Sequence, residues 1–250
     1  MRRCESGEEF QGRVVVVTGA AGHIGAACAN RFRMFGATVA AIDKSPPPVN
    51  ESDAGVYVSA DVSSAGEVNR AFDEIESRLG SVEIIVQCAA VLTRCAFLET
   101  TPETLYETMA VNVCGSFLVA QRAAARMIEK GIRGTIINFG SIAAVLAEPD
   151  TTAYDSSKGA VLAATRSMAV ALSPHGIRVN CVAPGIMMKA QGEELRDEFD
   201  VTAYERKRIP LARLGNPEDI ADVVIFLASG RTTYMTGTTV WVDGGSLAAW

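Results

Sequence analysis

Seven short apolar runs recur along this chain, and segments with helical periodicity separate most of them. Most of the runs are continuously apolar rather than alternating, which is typical of parallel strands that are covered on both faces. Strands are predicted at 13–19, 37–43, 55–62, 82–90, 134–141, 177–185 and 238–245. Helices are predicted at 23–35, 65–79, 103–130, 152–172 and 217–229. This alternation predicts an α/β fold: one doubly wound, seven-stranded parallel sheet with helices on both faces.

Length and charge exclude several classes of protein. The 250 residues, 48% of them apolar, are predicted to form a single domain over 1–250. A net charge of −6 argues against a nucleic-acid partner, which requires a concentrated basic face. The polar N-terminus and the absence of a long apolar stretch predict no membrane association and a cytoplasmic location. With only two histidines, no metal site is expected, and the cysteines are expected to be buried free thiols: Cys4, Cys28, Cys88, Cys95, Cys114 and Cys181.

Two segments interrupt the alternation. Three consecutive prolines within 44–53 forbid a helix there. The charged segment 186–212 lies between the sixth strand and the next helix, and it is either a solvated amphipathic helix or a lid over a substrate. Its position favours the lid, because ligands of such sheets bind beyond the carboxyl ends of the strands.

The stretch "TGAAGHIG" at 18–25 joins the first predicted strand to the first predicted helix. Gly19 permits a tight turn, Gly22 lets the backbone approach a pyrophosphate, and Gly25 lets the helix pack closely on the sheet. A plain strand–helix turn is the alternative for this triplet taken alone. The functional interpretation is a Rossmann-type dinucleotide site.

Asp43 ends the second predicted strand, 18 residues after Gly25, where a carboxylate can accept hydrogen bonds from the diol of an adenine ribose. The same charge repels a 2′-phosphate, so NAD is favoured over NADP. Lys44 beside it leaves some use of both cofactors open, and a surface carboxylate that opens a loop is the alternative interpretation.

Tyr154 and Lys158 are four residues apart on a predicted helix, so they project from one face, and Ser141 closes the fifth predicted strand upstream. A free phenol is a poor base at neutral pH, but an ammonium ~5 Å away at an effective dielectric of about 20 favours the phenolate by roughly 3 kcal/mol. Ser141 can donate a hydrogen bond to the same substrate oxygen. Tyr204 and Arg208 have the same spacing, but no strand-end serine precedes them.

In this combination the sequence resembles the single-domain branch of the short-chain dehydrogenase/reductases over residues 12–246. The glycine motif, Ser141 and the Tyr154–Lys158 pair carry the resemblance, together with "ADV" (60–62), "AVNVCGSF" (110–117), "RVNCVAPG" (178–185) and "MTGTTVWVDGG" (235–245). The resemblance implies that Tyr154 is the general acid/base, Ser141 orients the carbonyl and Lys158 also binds the nicotinamide ribose. It assigns further residues to the cofactor site: His23, Ile24, Asp61, Val62, Ala89, Pro184, Gly185 and Ile186.

The resemblance also implies that Asn112 holds a water that relays protons to Lys158, although the residues alone equally allow an amide that satisfies a kinked helix. His23 stands where the family has its second glycine, and it is expected to line the turn without acting in the chemistry. Lys189 stands where the family often has a threonine that contacts the nicotinamide. The family's "NNAG" is replaced by Gln87, Cys88, Ala89 and Ala90, which puts the local hydrogen bonding in doubt.

The leading functional hypothesis is an NAD-dependent oxidoreductase that moves a hydride between nicotinamide and a small secondary alcohol or ketone, and the resemblance implies a homotetramer or homodimer. The predicted substrate pocket comprises 91–97, 142–149 and 186–206, with an apolar wall at 143–146; Arg94 or Lys189 would recognise an anionic group. The alternative is an NADPH-dependent 3-oxoacyl carrier-protein reductase, which Asp43 and His175 disfavour. The remote alternative is a non-catalytic nucleotide-binding sensor.

Overall fold

The seven apolar runs form the strands of one parallel sheet. The computed structural model describes residues 9–45, 55–188 and 208–249. The strands are β1 (Val14–Thr18), β2 (Thr38–Asp43), β3 (Gly55–Ser59), β4 (Val82–Gln87), β5 (Thr135–Phe139), β6 (Arg178–Pro184) and β7 (Thr239–Val242). Their order across the sheet is β3-β2-β1-β4-β5-β6-β7. Because all strands are parallel, their carboxyl ends lie at one edge of the sheet. The order of the strands reverses between β1 and β4, which is the point where such sheets bind ligands.

The helices also follow the predicted periodicity. They are α1 (His23–Met34), α2 (Ala65–Leu79), α3 (Pro102–Met109), α4 (Ser116–Glu129), α5 (Thr152–Leu172) and α6 (Pro217–Ala228). Local signals fix their ends: Gly36 and Gly80 stop α1 and α2 at φ +86° and +90°. Asn216 and Asp219 form a reciprocal capping box at the start of α6, where Pro217 takes the first helical position.

One predicted helix is not continuous. The segment 103–130 divides into α3, a π-helical turn at Ala110–Gly115, and α4. At this turn the side chain of Asn112 bonds to the backbone of Val91 on a neighbouring loop. A Cβ on Gly115 would lie 2.7 Å from Cγ2 of Val62, so the close approach there requires glycine. Periodicity alone predicted one long helix because a single extra residue barely alters an apolar stripe.

Two apolar layers cover the sheet, as the continuously apolar strands predicted. One face packs against α2, α4 and α5, through side chains such as Phe72 and Met127, neither of which is exposed. The other packs against α1 and α6, through Phe32 and Val224, which are equally buried. Truncating such a phenylalanine to alanine costs about 3–5 kcal/mol of unfolding free energy. The two layers hold the carboxyl edge of the sheet rigid, and that edge carries the site.

The strand ends, the cysteines and the predicted lid differ in part from the sequence predictions. β1 ends at Thr18 and β5 at Phe139, so Gly19 and Ser141 lie just beyond the strands that they were expected to close. The described cysteines are free thiols, and the expectation that they are buried holds for Cys28 and Cys181. It was wrong for Cys114, which is exposed, while Cys88 and Cys95 are half-buried and Cys4 lies outside the described residues. In the described ranges, no helix is long and apolar enough to cross a membrane. Of the predicted lid 186–212, residues 189–207 lie outside the described residues, and with them Lys189 and Tyr204.

Candidate functional site: a dinucleotide cleft beside a Tyr–Lys pair

The loop from β1 to α1 is built from close backbone contacts. Gly19 has φ +67°, and a Cβ there would lie 2.5 Å from the backbone nitrogen of Ala89. A Cβ on Gly25 would lie 2.1 Å from the carbonyl oxygen of Gly19. Gly22 is less constrained, since its nearest neighbour is the same carbonyl oxygen at 3.3 Å. Gly19 and Gly25 therefore fix the shape of the loop. Gly22 is exposed, and without a side chain it leaves the outer surface of the loop open to a ligand.

The helix that follows this loop presents its first turn to solvent. Its N-cap is Gly22, no described side chain caps the first turn, and no acidic residue lies in that turn. His23 is exposed at the first helical position, Ile24 is half-buried, and Gly25 is buried. Uncapped amides at a helix N-terminus, together with the helix dipole, favour a bound anion. The loop and helix thus fit the pyrophosphate of a dinucleotide, and His23 lies at that turn as expected.

A pocket opens beside the loop at the carboxyl edge of β1, β2 and β4. Its lining contains Gly19, Ile42, Asp43, Lys44, Ala60, Asp61, Val62, Ala89, Ala90, Val91 and Val111. The carboxylate of Asp43 accepts hydrogen bonds from the amides of Ala21 (3.0 Å) and Ser45 (2.9 Å). These bonds fix the carboxylate in the lining of the pocket, where its negative charge acts on any bound ligand.

Asp61 has a mainly structural set of bonds in the same pocket. Its carboxylate accepts hydrogen bonds from the hydroxyl (2.7 Å) and the amide (2.8 Å) of Ser63. These bonds hold the pKa of Asp61 below its usual range, the hydroxyl bond contributing most. The amide of Asp61 in turn donates to Glu67 at 2.8 Å. The Asp61–Val62 pair is thereby fixed as a wall of the pocket, and its contact with an adenine stays a prediction.

The Tyr154–Lys158 pair lies on α5, and the Lys158 side chain reaches the end of β5. Lys158 is 3% exposed, and its Nζ lies 5.5 Å from the centre of the Tyr154 ring. One N–H of Lys158 donates to the carbonyl oxygen of Phe139 at 2.9 Å. Ser141 caps the short turn Ile142–Ala144, where its Oγ accepts the amide of Ala143 at 3.1 Å. Lys158 therefore joins the Tyr154 ring to the carboxyl end of β5, and Ser141 follows that end two residues later.

Asn112 is the most heavily bonded of the predicted catalytic residues. Its Oδ1 accepts the amide of Val91 at 2.8 Å, and its Nδ2 donates to Val91 O and to Ser157 Oγ, each at 2.9 Å. These bonds tie the π-helical turn to the loop after β4 and to α5, rather than satisfying the backbone of the kinked helix itself. The role of Asn112 in relaying protons to Lys158 through a water stays a prediction. Sequence reasoning missed Ser157, since a serine beside a lysine carries no signal of such a bond.

The replaced motif after β4 has its own hydrogen bonding. Gln87 Nε2 donates to Asn138 Oδ1 at 2.8 Å, and Asn138 Nδ2 continues to Thr165 Oγ1 at 2.8 Å. Gln87 Oε1 is buried without a described partner. The Ala89 amide donates to Thr18 Oγ1 at 3.3 Å, which holds the pocket wall against β1. Burial raises the pKa of the Cys88 thiol well above its usual value, so this cysteine stays a neutral thiol at physiological pH.

Pro184 ends the sixth strand, Gly185 and Ile186 follow it, and none of the three lines the Asp43 pocket. The Gly185 amide donates to Val242 O at 2.9 Å, and a Cβ on Gly185 would lie 2.6 Å from Asp243 Cα. Ile186 lines a second pocket whose other residues include Leu211, Arg213, Gly215, Asp219 and Val242. In the part of the chain that is described, no group of three or more His, Cys, Asp or Glu could hold a metal ion.

Comparisons with known proteins agree with this geometry. A family model described as Enoyl-(Acyl carrier protein) reductase matches residues 19–246. The 2-(R)-hydroxypropyl-CoM dehydrogenase of Xanthobacter autotrophicus is 36% identical over 248 residues, which cover 94% of this chain and 99% of that protein. The mouse (3R)-3-hydroxyacyl-CoA dehydrogenase is 37% identical over 252 residues, covering 93% and 95% of the two chains. A crystal structure of a short chain dehydrogenase from Leptospira borgpetersenii with bound NAD+ superposes with a TM-score of 0.88, at 32% identity, covering 95% and 93%.

Proposed function

We propose that this chain, which belongs to the short-chain dehydrogenase/reductase family, is an NAD-dependent oxidoreductase that interconverts a secondary alcohol and a ketone. Members of this family use a nicotinamide cofactor on alcohols and carbonyl compounds. The observation that carries the proposal is the Lys158 side chain, which lies beside the Tyr154 ring and bonds to the end of β5. Ser141 and the glycine loop lie at the same edge of the sheet. When bound there, the cofactor supplies or accepts the hydride, and the protein supplies orientation and the proton.

In the proposed mechanism the Tyr154 oxygen takes the proton of the alcohol hydroxyl as the carbonyl forms, or returns it in reduction. The buried Lys158 side chain stands beside that ring, with its Nζ 5.5 Å from the ring centre. One of its three N–H groups is held by Phe139 O, and the proposal assigns the other two to the nicotinamide ribose and the water relay. The Ser141 hydroxyl accepts a backbone amide, so its own hydrogen is available to the substrate oxygen.

Asp43 supports NAD as the cofactor. Its carboxylate is anchored by two backbone amides at the end of β2, in the wall of the pocket that holds Gly19, Asp61 and Val62. A fixed negative charge there accepts a ribose diol and repels a 2′-phosphate. The alternative of an NADPH-dependent carrier-protein reductase gains support only from the description of the family model.

The proposed assembly is a homotetramer or homodimer that pairs α4 and α5 between copies. These helices form an apolar groove lined by Phe117, Ala120, Gln121, Ala124, Ala125, Ile128, Ala164, Ser167, Met168, Ala171 and Leu172. Phe117 is 51% exposed and Val170 on the same pair of helices is 76% exposed. Exposed apolar patches of this kind mark association surfaces.

The decisive experiment replaces Tyr154 with Phe, which removes the acidic hydroxyl and keeps the ring. Turnover of a panel of secondary alcohols with NAD, followed by the absorbance of the reduced nicotinamide, should fall at least about 100-fold because general acid/base catalysis contributes about that much. NAD affinity measured by calorimetry should stay within about twofold, since Tyr154 makes none of the phosphate or adenosine contacts described above. Retained turnover in this variant would refute Tyr154 as the acid/base.

A further inference from the structure

Arg94 joins the two loops that flank the Tyr–Lys pair. It lies on the loop after β4, and its Nη1 donates to Glu148 Oε2 at 2.6 Å and to Asp150 Oδ1 at 2.8 Å, both on the loop after β5. A backbone bond from the Cys95 amide to Asp150 O, 2.8 Å long, runs parallel to this bridge. The guanidinium that the sequence offered as an anion receptor is therefore engaged by two carboxylates of its own chain.

The charge around this bridge is negative. Glu148 and Asp150 outnumber the guanidinium of Arg94, and Asp155, next to Tyr154 on α5, lies close enough to interact with both Arg94 and Glu148. A second cation, Arg213, lies between β6 and α6 in the chain and lines the pocket that contains Ile186. It makes a two-pronged ion pair with Asp219, at 2.6 and 3.0 Å.

Aliphatic side chains stand exposed on the loops after three neighbouring strands. Leu92 follows β4, Val145 follows β5 and Met188 follows β6, and each is between 50% and 57% exposed. Because the carboxyl ends of parallel strands meet at one edge, all three lie on loops at the edge of the sheet that carries Lys158 and Ser141. Aliphatic side chains at that edge favour a ligand with an apolar body.

We propose that the substrate is an uncharged secondary alcohol, or its ketone, with an aliphatic substituent, and that the Arg94 bridge excludes anionic competitors by keeping the nearby cation neutralised. The inference rests on the proposed function and narrows its substrate class. It separates this chain from relatives whose names specify coenzyme M or coenzyme A derivatives, both of which are anions.

The test compares two molecules with the same skeleton: methyl 3-hydroxybutyrate, which is neutral, and 3-hydroxybutyrate, which is an anion. We expect kcat/KM with NAD to favour the ester by about tenfold or more, because like charges repel across the cleft. Binding of the corresponding ketones, methyl acetoacetate and acetoacetate, is measured by saturation-transfer NMR on the NAD-loaded protein, where no hydride is available. Equal or tighter binding of the anion, or binding of neither ketone, would overturn the inference. Selective binding of the ester ketone without turnover of the alcohol would instead refute the proposed dehydrogenase and leave the substrate class standing.

A double variant tests the bridge itself. Glu148→Gln with Asp150→Asn releases Arg94 and should lower the ester-to-acid ratio at least about tenfold, mainly through KM for the acid. The matched control is Asp73→Asn with Glu74→Gln on α2, which removes two exposed, arginine-paired carboxylates and so makes the same change in net charge away from the cleft. This control should leave the ratio within about twofold. An equal response in the two double variants would show that Arg94 has no specific role.

Discussion

Replacing Gly19 with alanine tests how the dinucleotide loop is built. The new Cβ would meet Ala89 N at 2.5 Å and Ala89 Cα at 2.7 Å, and the residue would keep a φ of +67°. The left-handed backbone costs a non-glycine residue about 1–2 kcal/mol. The collision adds about 1–3 kcal/mol, because backbone atoms on both sides have to move apart. The sum, about 2–5 kcal/mol, is a large part of an unfolding free energy of about 5–15 kcal/mol.

The control is Gly131→Ala. Gly131 has the same φ of +67°, but nothing lies within 4 Å of its Cβ position, so this variant carries the dihedral cost without the collision. Urea unfolding of both variants, compared at equal m-values, should show Gly19→Ala the less stable by about 1–3 kcal/mol. NAD affinity should fall at least about tenfold in Gly19→Ala only, since Ala89 lines the pocket. Equal losses of stability in the two variants would refute the close packing of the loop on Ala89.

Three further predictions concern cofactor choice, assembly and pH. Asp43→Asn should raise the ratio of kcat/KM with NADP to that with NAD by about tenfold or more, since one repulsive charge is removed, and a ratio within twofold of wild type would count against this role. Phe117→Asp should reduce the oligomer to smaller species in size-exclusion chromatography with light scattering, and an unchanged mass would exclude the α4–α5 groove as the interface. Burial raises the pKa of Glu76, but hydrogen bonds from Lys130 and Arg126 outweigh burial and leave that pKa below the ordinary 4.5. Glu76→Gln should therefore lower the unfolding free energy at pH 7 by about 1 kcal/mol, and the difference should vanish as the pH falls through the lowered pKa; a difference that persists at pH 2–3 would contradict the ion pair.

Much of the architecture was predictable because strand and helix patterns here are strong. Apolar runs marked all seven strands, and predicted helix ends differ from the observed ones by a residue at most, except in 103–130. The capping signals at Gly36, Gly80 and Asn216 are local, and local chemistry suffices to end a helix there. The placement of Lys158 beside the Tyr154 ring was also predictable, since residues four apart share one face of a helix. The catalytic roles of Ser141, Tyr154 and Lys158 stay predictions.

The remaining features depend on contacts between distant segments. Nothing in the sequence beside Arg94 indicates that Glu148 and Asp150, more than 50 positions later, neutralise it. Likewise the bonds of Asn112 to Val91 and Ser157 join three separate elements. Periodicity reports the face that a residue occupies within one element, whereas these contacts arise only when loops from different strands meet at the sheet edge.

The π-helical turn at Ala110–Gly115 links the chemistry of the cleft to the outer surface of the protein. Each residue of an α-helix advances the chain by about 100°, so the wider turn resets the rotational phase of α4 relative to α3. Asn112 holds that turn against the loop after β4, and Phe117 is the second residue of α4, directly beyond the turn. Deleting a single residue from the turn would swing Phe117 and its apolar groove around the helix axis while loosening the cleft wall at Val91. The direction in which the proposed association surface faces and the position of the cleft wall at Val91 therefore both depend on this one π-helical turn.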